Sequence, residues 1–411
     1  MTRRERVLAS LNFRKPDQMP KDLGAMPSTC VSCFAYPKLV AALGLPQRLP
    51  RVHDTEQMLA LPERDVLDAL DCDVVTVSGD SYTNAFEEPE RWHPYDFNGR
   101  LPARVMNPAA FVTRPDGVIV QGGNKLMGPD AFVFDVPGAN QPLDLAKMEE
   151  TLKKSLLTPE KVASIAAYCA KARASTDRAI MFLSIGNYLG FHFGGIARFS
   201  MLCLTQPEHV HQLQDLVTRY SIQNLESLLP AIAKNVDVLM VSANDRGIQT
   251  GPILPPAVDA DVFGPYYRRF NDRVHEIAPH MKTFLHCCGG VYDLMDGIIG
   301  EGFDALNPVQ WSAGSASYRQ WKDKARGRIT LWGGGVNTQT TLPFGTVADV
   351  ERETGEVAKC LSANSGYVFC AIHNLLAEVP PEKILAMYRA AKNLTNKGES
   401  SYFSCCAERR R

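Results

Sequence analysis

The chain has 411 residues, 45% of them hydrophobic and 22% charged, with a formal net charge of −1; this is an ordinary globular composition with ample core for one large domain or two smaller ones. The near-neutral balance argues against a nucleic-acid surface, because the basic runs Arg3-Arg4 and Arg409 to Arg411 are short and terminal. No run of about 18 apolar residues occurs, and no apolar segment follows the arginines of MTRRERVLASLNFRKPDQMP, so the sequence predicts a soluble, cytoplasmic chain without a membrane span.

Taken in chain order, short apolar runs recur between longer amphipathic stretches, the pattern of alternating strands and helices. Eight strands are predicted, at 19–23, 73–77, 179–185, 236–242, 282–287, 305–309, 329–332 and 367–372. Helical spacing fits between most of them, as at 208–229, where Val210, Leu213, Leu216 and Val217 share a face, and at 263–277. Eight such units predict an α/β fold, a (β/α)8 or TIM barrel, occupying residues 1–395 as one domain and followed by a polar tail over 396–411. Residues 78–145 break the pattern with Pro, Gly and aromatic residues and the alternating stretch Gly117-Val118-Ile119-Val120-Gln121. They read as an elaborated loop with a small β element after the second strand, an insertion placed to wall a substrate site.

Eleven cysteines scattered without a secretory signal predict reduced thiols. Cys30-Val31-Ser32-Cys33 is a C-x-x-C without a second pair and reads as structural; the tail pair Cys405-Cys406 has no evident role. Trp332-Gly333-Gly334-Gly335 lacks both dinucleotide-binding and Walker spacing, and predicts only close approach of backbone to a ligand.

Barrel enzymes carry their active groups at the C-terminal ends of the strands. There the sequence places Asp22, Asn187, Asn244-Asp245, His286 and Cys288, Asn307 and Gln310, Asn337 and Gln339, and His373-Asn374. Side chains alternate faces along a strand, so in HCCGG His286 and Cys288 point one way and Cys287 the other. An isolated H-x-C is more often a packed cysteine beside a hydrogen-bonded histidine than a metal site, because zinc takes three or four ligands. His373, where the last strand ends, is the candidate third ligand, and Cys370, three residues deeper and of opposite parity, is its competitor. A set of two histidines and one cysteine with an open fourth position is the pattern of a catalytic zinc site. Asp245 is expected either to approach that position or to cap the NDRG turn. Asn244 and Asp245 are the candidate catalytic residues, and Asp22, Asn187, Asn307, Gln310 and Asn337 the candidate substrate contacts.

The segments TRRERVLASLNFRKPDQMP, QMLALPERDVLDALDCDVV, SANDRGIQTGPILPP, HCCGGVYDLMDGIIGEGFDALNPVQ, LWGGGVNTQTTLPFGT and HNLLAEVPPEKI, in this order, span nearly the whole chain. Through them the chain resembles the uroporphyrinogen decarboxylase superfamily, and within it the corrinoid-dependent methyltransferase branch. Porphyrinogen decarboxylases carry an arginine-rich RQAGR-type motif where this chain reads KDLGAMPST, and that departure argues against porphyrinogen chemistry. The resemblance implies zinc held by His286, Cys288 and a third residue near the last strand, commonly Cys in relatives and His373 here. It further implies a small methylated substrate and a separate corrinoid (cobalamin) protein as partner, since no D-x-H-x-x-G cobalamin pattern occurs in the chain. A cofactor-free decarboxylase is the alternative. No nucleic acid or membrane partner is expected, and the sequence leaves room for a homodimer.

Overall fold

A computed structural model describes residues 1–135, 144–185 and 195–396. Seven strands, β1 (Val74–Ser78), β2 (Ala179–Leu183), β3 (Val238–Ala243), β4 (Lys282–His286), β5 (Ala305–Asn307), β6 (Thr330–Trp332) and β7 (Tyr367–Val368), lie side by side and parallel in sequence order. The antiparallel pair Tyr82–Thr83 extends the edge at β1 and makes this an eight-stranded, mostly parallel sheet. A helix α1 (Arg3–Leu11) precedes the sheet, and each strand is followed by at least one helix. These are α2 (Pro159–Ser175), α3 (Pro207–Ile232), α4 (Pro256–Ile277), α5 (Met295–Gly300), α6 (Tyr318–Ala325), α7 (Val347–Ser362) and α8 (Pro381–Asn396).

The sheet curls until its two ends meet through residues 20–22. Lys21 bridges Phe369 in parallel, the Asp22 N–H donates to the Phe369 carbonyl at 2.8 Å, and the Asp73 N–H donates to the Lys21 carbonyl at 2.7 Å. The result is a TIM-barrel-like ring. The strand expected at 19–23 shrinks to this single bridge for local reasons. Pro20 has no N–H to give, the Asp22 carboxylate captures the Ala25 N–H at 2.9 Å, and Gly24 turns the chain at φ +86°.

Inward-facing side chains of alternate pleats, including Val74, Met181, Val238, Met240, Phe284, Ala305, Trp332 and Val368, fill the ring as a packed core. Its lower end is closed by α1, which inserts Val7 and Leu11 into that cluster. The same helix is pinned to the strand starts: Arg6 pairs with Asp73 at 2.5 Å and Arg4 with Asp237 at 2.7 Å. The Ser10 hydroxyl donates to the Tyr367 carbonyl at 2.7 Å. Outward-facing residues such as Ile180, Leu239, Leu285 and Leu306 pack under the helices in a second, larger cluster.

After β1 the described chain forms a hairpin of His93–Asp96 with Pro102–Val105. A three-stranded antiparallel meander of Phe111–Thr113, Ile119–Gln121 and Lys125–Met127 follows. Among the described residues no helix is long and apolar enough to cross a membrane. Asn187, the tail beyond 396 and the pair Cys405-Cys406 lie outside the described residues.

Candidate metal centre

The pleat of β4 decides which residues meet at the mouth of the ring. Phe284 belongs to the inner cluster and Leu285 to the outer one, so His286 turns inward and Cys287 outward. Cys287 is fully buried, its sulfur accepts the Arg246 N–H at 3.3 Å, and burial pushes its thiol up to about 12. Cys287→Ala should therefore leave metal binding intact while lowering stability by about 1 kcal/mol for the lost volume and contact, which metal analysis and thermal unfolding of the same preparation would check.

The tautomer of His286 follows from its neighbour. Asn307 donates from Nδ2 to the Trp332 carbonyl at 3.0 Å, and a carbonyl can only accept. Its Oδ1 therefore faces His286 Nδ1, at 2.7 Å, and that ring nitrogen carries the hydrogen. The lone pair is left on Nε2. His373 repeats the arrangement. Asn374 donates from Nδ2 to Gln57 Oε1 at 2.7 Å and offers its own Oδ1 to His373 Nδ1 at 2.9 Å. Burial, followed by the neighbouring His286, holds His373 below the usual imidazole range, which favours the neutral ring that could offer a lone pair to a metal.

The two imidazoles stand with ring centres 5.7 Å apart and planes inclined by 66°. Together with the Cys288 sulfur, their ligand atoms lie within 4.8 Å of one another. This is a compact donor set of two nitrogens and one sulfur, drawn from residues up to 87 positions apart in the chain, and its chemistry suits zinc, which accepts imidazole and thiolate alike. Cys288 is partly exposed; its thiol is raised well above the ordinary range by burial and then by Asp245. Cys370 is the informative contrast. It lies in the inner cluster with Val368 and Phe284, so depth separates it from the site, and the expectation that it faces away from the interior is corrected. The alternation runs on past the end of β7 through Phe369, Cys370 and Ala371 and is lost before His373, so parity counted back from His373 gives the wrong face for Cys370.

Other expected residues are differently engaged. Asp245 is half exposed, with Oδ1 accepting the Cys288 N–H at 3.0 Å and standing 3.4 Å from His286 Nε2, so it borders the donor set. Asn244, expected beside it as catalytic, is buried and interacts with the Tyr267 hydroxyl. Of the expected substrate contacts, Asn307 instead orients His286, and Gln310 holds the ligand turn by accepting the Gly289 N–H at 2.7 Å. Asn337 caps its own turn through Gln339 and Thr340. Asp22 is fully buried, accepts the Ala25 and Trp332 N–H groups, and is pushed up to about 6 by burial.

Three features were missed in the sequence. The Ser28 hydroxyl lies 3.2 Å from His286 Nε2, a contact across 258 positions that no local pattern announces. Arg246 is wholly buried between Asp259, at 2.9 Å, and Glu301, at 2.7 and 2.9 Å, and lies over the rings of Phe263 and Tyr267. It anchors the loop that carries Asp245 to α4 and to the end of α5. The third is a meeting of glycines. A Cβ on Gly289, at φ +93°, would fall 2.3 Å from the Gly247 carbonyl carbon, and one on Gly290 would fall 2.9 Å from Gly251. Backbone thus lies directly on backbone between the ligand turn and the hairpin at 247–252.

Because Asn307 fixes which nitrogen faces the donor set, Asn307→Ala should weaken metal binding by about 10- to 100-fold, read by competition with a chromophoric chelator.

The uroporphyrinogen decarboxylase family model matches residues 190–394. A methyltransferase from Methanosarcina mazei aligns over 96% of this chain and 99% of its own, with a TM-score of 0.55 and 16% identity. At that identity the likeness is one of fold. An endo-1,4-beta-mannanase from Rhizomucor miehei covers 58% of this chain and 77% of its own, at a TM-score of 0.35 and 13% identity. No curated protein matches the chain.

Proposed function

We propose that this chain, which belongs to the uroporphyrinogen decarboxylase superfamily through residues 190–394, is a zinc-dependent methyltransferase that moves a methyl group between a small methylated substrate and a separate corrinoid protein. The observation that carries this reading is the gathering of His286, Cys288 and His373 at the C-terminal mouth of the ring, with both imidazoles held in the tautomer a metal needs. These three residues would hold the ion. Bound there, zinc supplies Lewis-acid polarisation of the heteroatom that gains or loses the methyl group.

The rest of the work falls to side chains around the donor set. Asp245, half exposed and fixed by the Cys288 N–H, faces the open side and orients the substrate. Asn307 and Asn374 keep the imidazoles in register. The KDLGAMPST segment has no arginine with which to neutralise substrate carboxylates, which favours methyl transfer over the decarboxylation that gives the superfamily its name. In this reading residues 1–395 act as one cytoplasmic barrel domain whose 78–145 insertion walls the substrate site, with the corrinoid partner approaching the mouth.

The test mixes zinc-loaded protein, its cognate corrinoid protein reduced to Co(I), and a panel of methylated ethers, amines and thioethers. Methyl transfer leaves the substrate heteroatom demethylated and converts Co(I) to methyl-Co(III), which absorbance follows. Turnover that requires all three components is the expected result. Failure across the panel, with metal-independent release of carbon dioxide from a carboxylated substrate, would replace this reading with the decarboxylase.

A further inference from the structure

We propose that Ser28 is a fourth donor of the metal centre, an exchangeable hydroxyl holding the position that the substrate heteroatom takes over. This rests on the reading of His286, Cys288 and His373 as metal ligands. Ser28 sits in a short turn, Pro27–Thr29, directly after the segment that closes the ring. The turn is fixed from several sides. The Ser28 N–H donates to Met26 Sδ at 3.2 Å, the Thr29 hydroxyl donates to the Met26 carbonyl at 3.1 Å, and the Gly24 N–H donates to the Thr29 carbonyl at 3.0 Å. The side chain is 5% exposed and aimed across the mouth at β4.

Its Oγ lies 3.2 Å from His286 Nε2, the nitrogen that Asn307 leaves unprotonated. Two ligands of one tetrahedral ion, each about 2.0–2.1 Å from it, stand roughly 3.3 Å apart. The hydroxyl is therefore already at ligand-to-ligand distance from His286. The competing oxygen, on Asp245, is 3.4 Å from the same nitrogen, but it is engaged by the Cys288 N–H and falls outside the compact donor group.

A serine hydroxyl also suits an exchangeable position. Without an ion it donates to Nε2, so neither buried group is unsatisfied. With an ion present the Nε2 lone pair turns to the metal, and the hydroxyl oxygen can follow with its own. As a neutral oxygen it binds zinc more weakly than a thiolate or imidazole, so an incoming thiol or ether can displace it.

Cobalt(II) loading tests this without reference to catalysis. Wild-type protein should take up one cobalt per chain, with a sulfur-to-cobalt charge-transfer band from one thiolate; if it takes up none, the metal centre itself is refuted. Given that binding, Ser28→Cys should about double the charge-transfer intensity, one coordinating thiolate becoming two. Ser28→Ala should loosen zinc by about tenfold, with far-UV circular dichroism unchanged. Single-thiolate intensity in Ser28→Cys together with wild-type affinity in Ser28→Ala would reject Ser28 as a donor while leaving the three-residue centre standing.

Discussion

Cys288→Ala should lose the metal. With a metal bound, Cys288 would be the one anionic ligand of the set, beside two neutral imidazoles. Zinc sites in small domains bind with about 10–16 kcal/mol in all, so removing one of three protein ligands is expected to remove about 4 kcal/mol, a loosening of about a thousandfold. Dialysis against a chelator followed by metal analysis should find close to one ion per wild-type chain and almost none in the variant, and methyl transfer should fall to background with it. His373→Ala should behave similarly. Cys370→Ala should keep its metal, because that sulfur lies deeper, in the apolar interior among Phe284 and Trp332. Full occupancy in Cys288→Ala, or a metal-free protein that remains active, would overturn the centre.

The second large effect is structural. Gly289→Ala puts a methyl group 2.3 Å from the Gly247 carbonyl carbon and imposes a φ of +93° on a residue with a side chain. No rotamer relieves either problem, because both partners are backbone. Overpacking of this kind costs about 1–3 kcal/mol and the left-handed backbone about 1–2 kcal/mol more, so a loss of about 3–4 kcal/mol is expected in urea unfolding. Gly297→Ala, in a helix with open space around the added carbon, is the control and should be neutral or slightly stabilising. Comparable stability for the two variants would show that the turn can relax away from the hairpin.

The fold was legible where burial imposes a period. Parallel strands covered on both faces appear as short apolar runs, and seven of the eight expected strands are present, differing mainly at their ends. The first was misjudged in extent because Pro20, Asp22 and Gly24 act through single hydrogen bonds and one dihedral, which apolar patterning does not record. At the site, the grouping of His286 with Cys288 was legible because the alternation of β4 carries on for two residues past its end at His286. Cys370 was misread because parity was counted back from His373, whereas the strand's own alternation puts Cys370 inward with Val368. Asn307 and Gln310 were placed at the mouth as substrate contacts, and the sequence did not announce their bonds to His286 and to the Gly289 N–H, since a polar side chain at a strand end can serve a ligand, a side chain or the backbone equally well. Ser28 was invisible for a simpler reason: its partner is 258 residues away, and one sequence contains nothing that couples the two.

Helix α1 connects the architecture to the order of synthesis. It is made well before β7 and carries a complete capping box, with Thr2 and Glu5 each binding the other's backbone N–H. Its docking partners are nevertheless spread over the whole chain: Asp73, Asp237 and, 357 positions away, Tyr367. A nine-residue helix is marginal by itself, and contacts at such separation form late. This helix is thus among the last elements of the ring to settle, and the apolar floor stays uncovered until β7 has been made. During that interval Val7 and Leu11 have no interior to enter, so the helix and the uncovered floor both present apolar surface, the condition that favours misassociation of a partly folded chain.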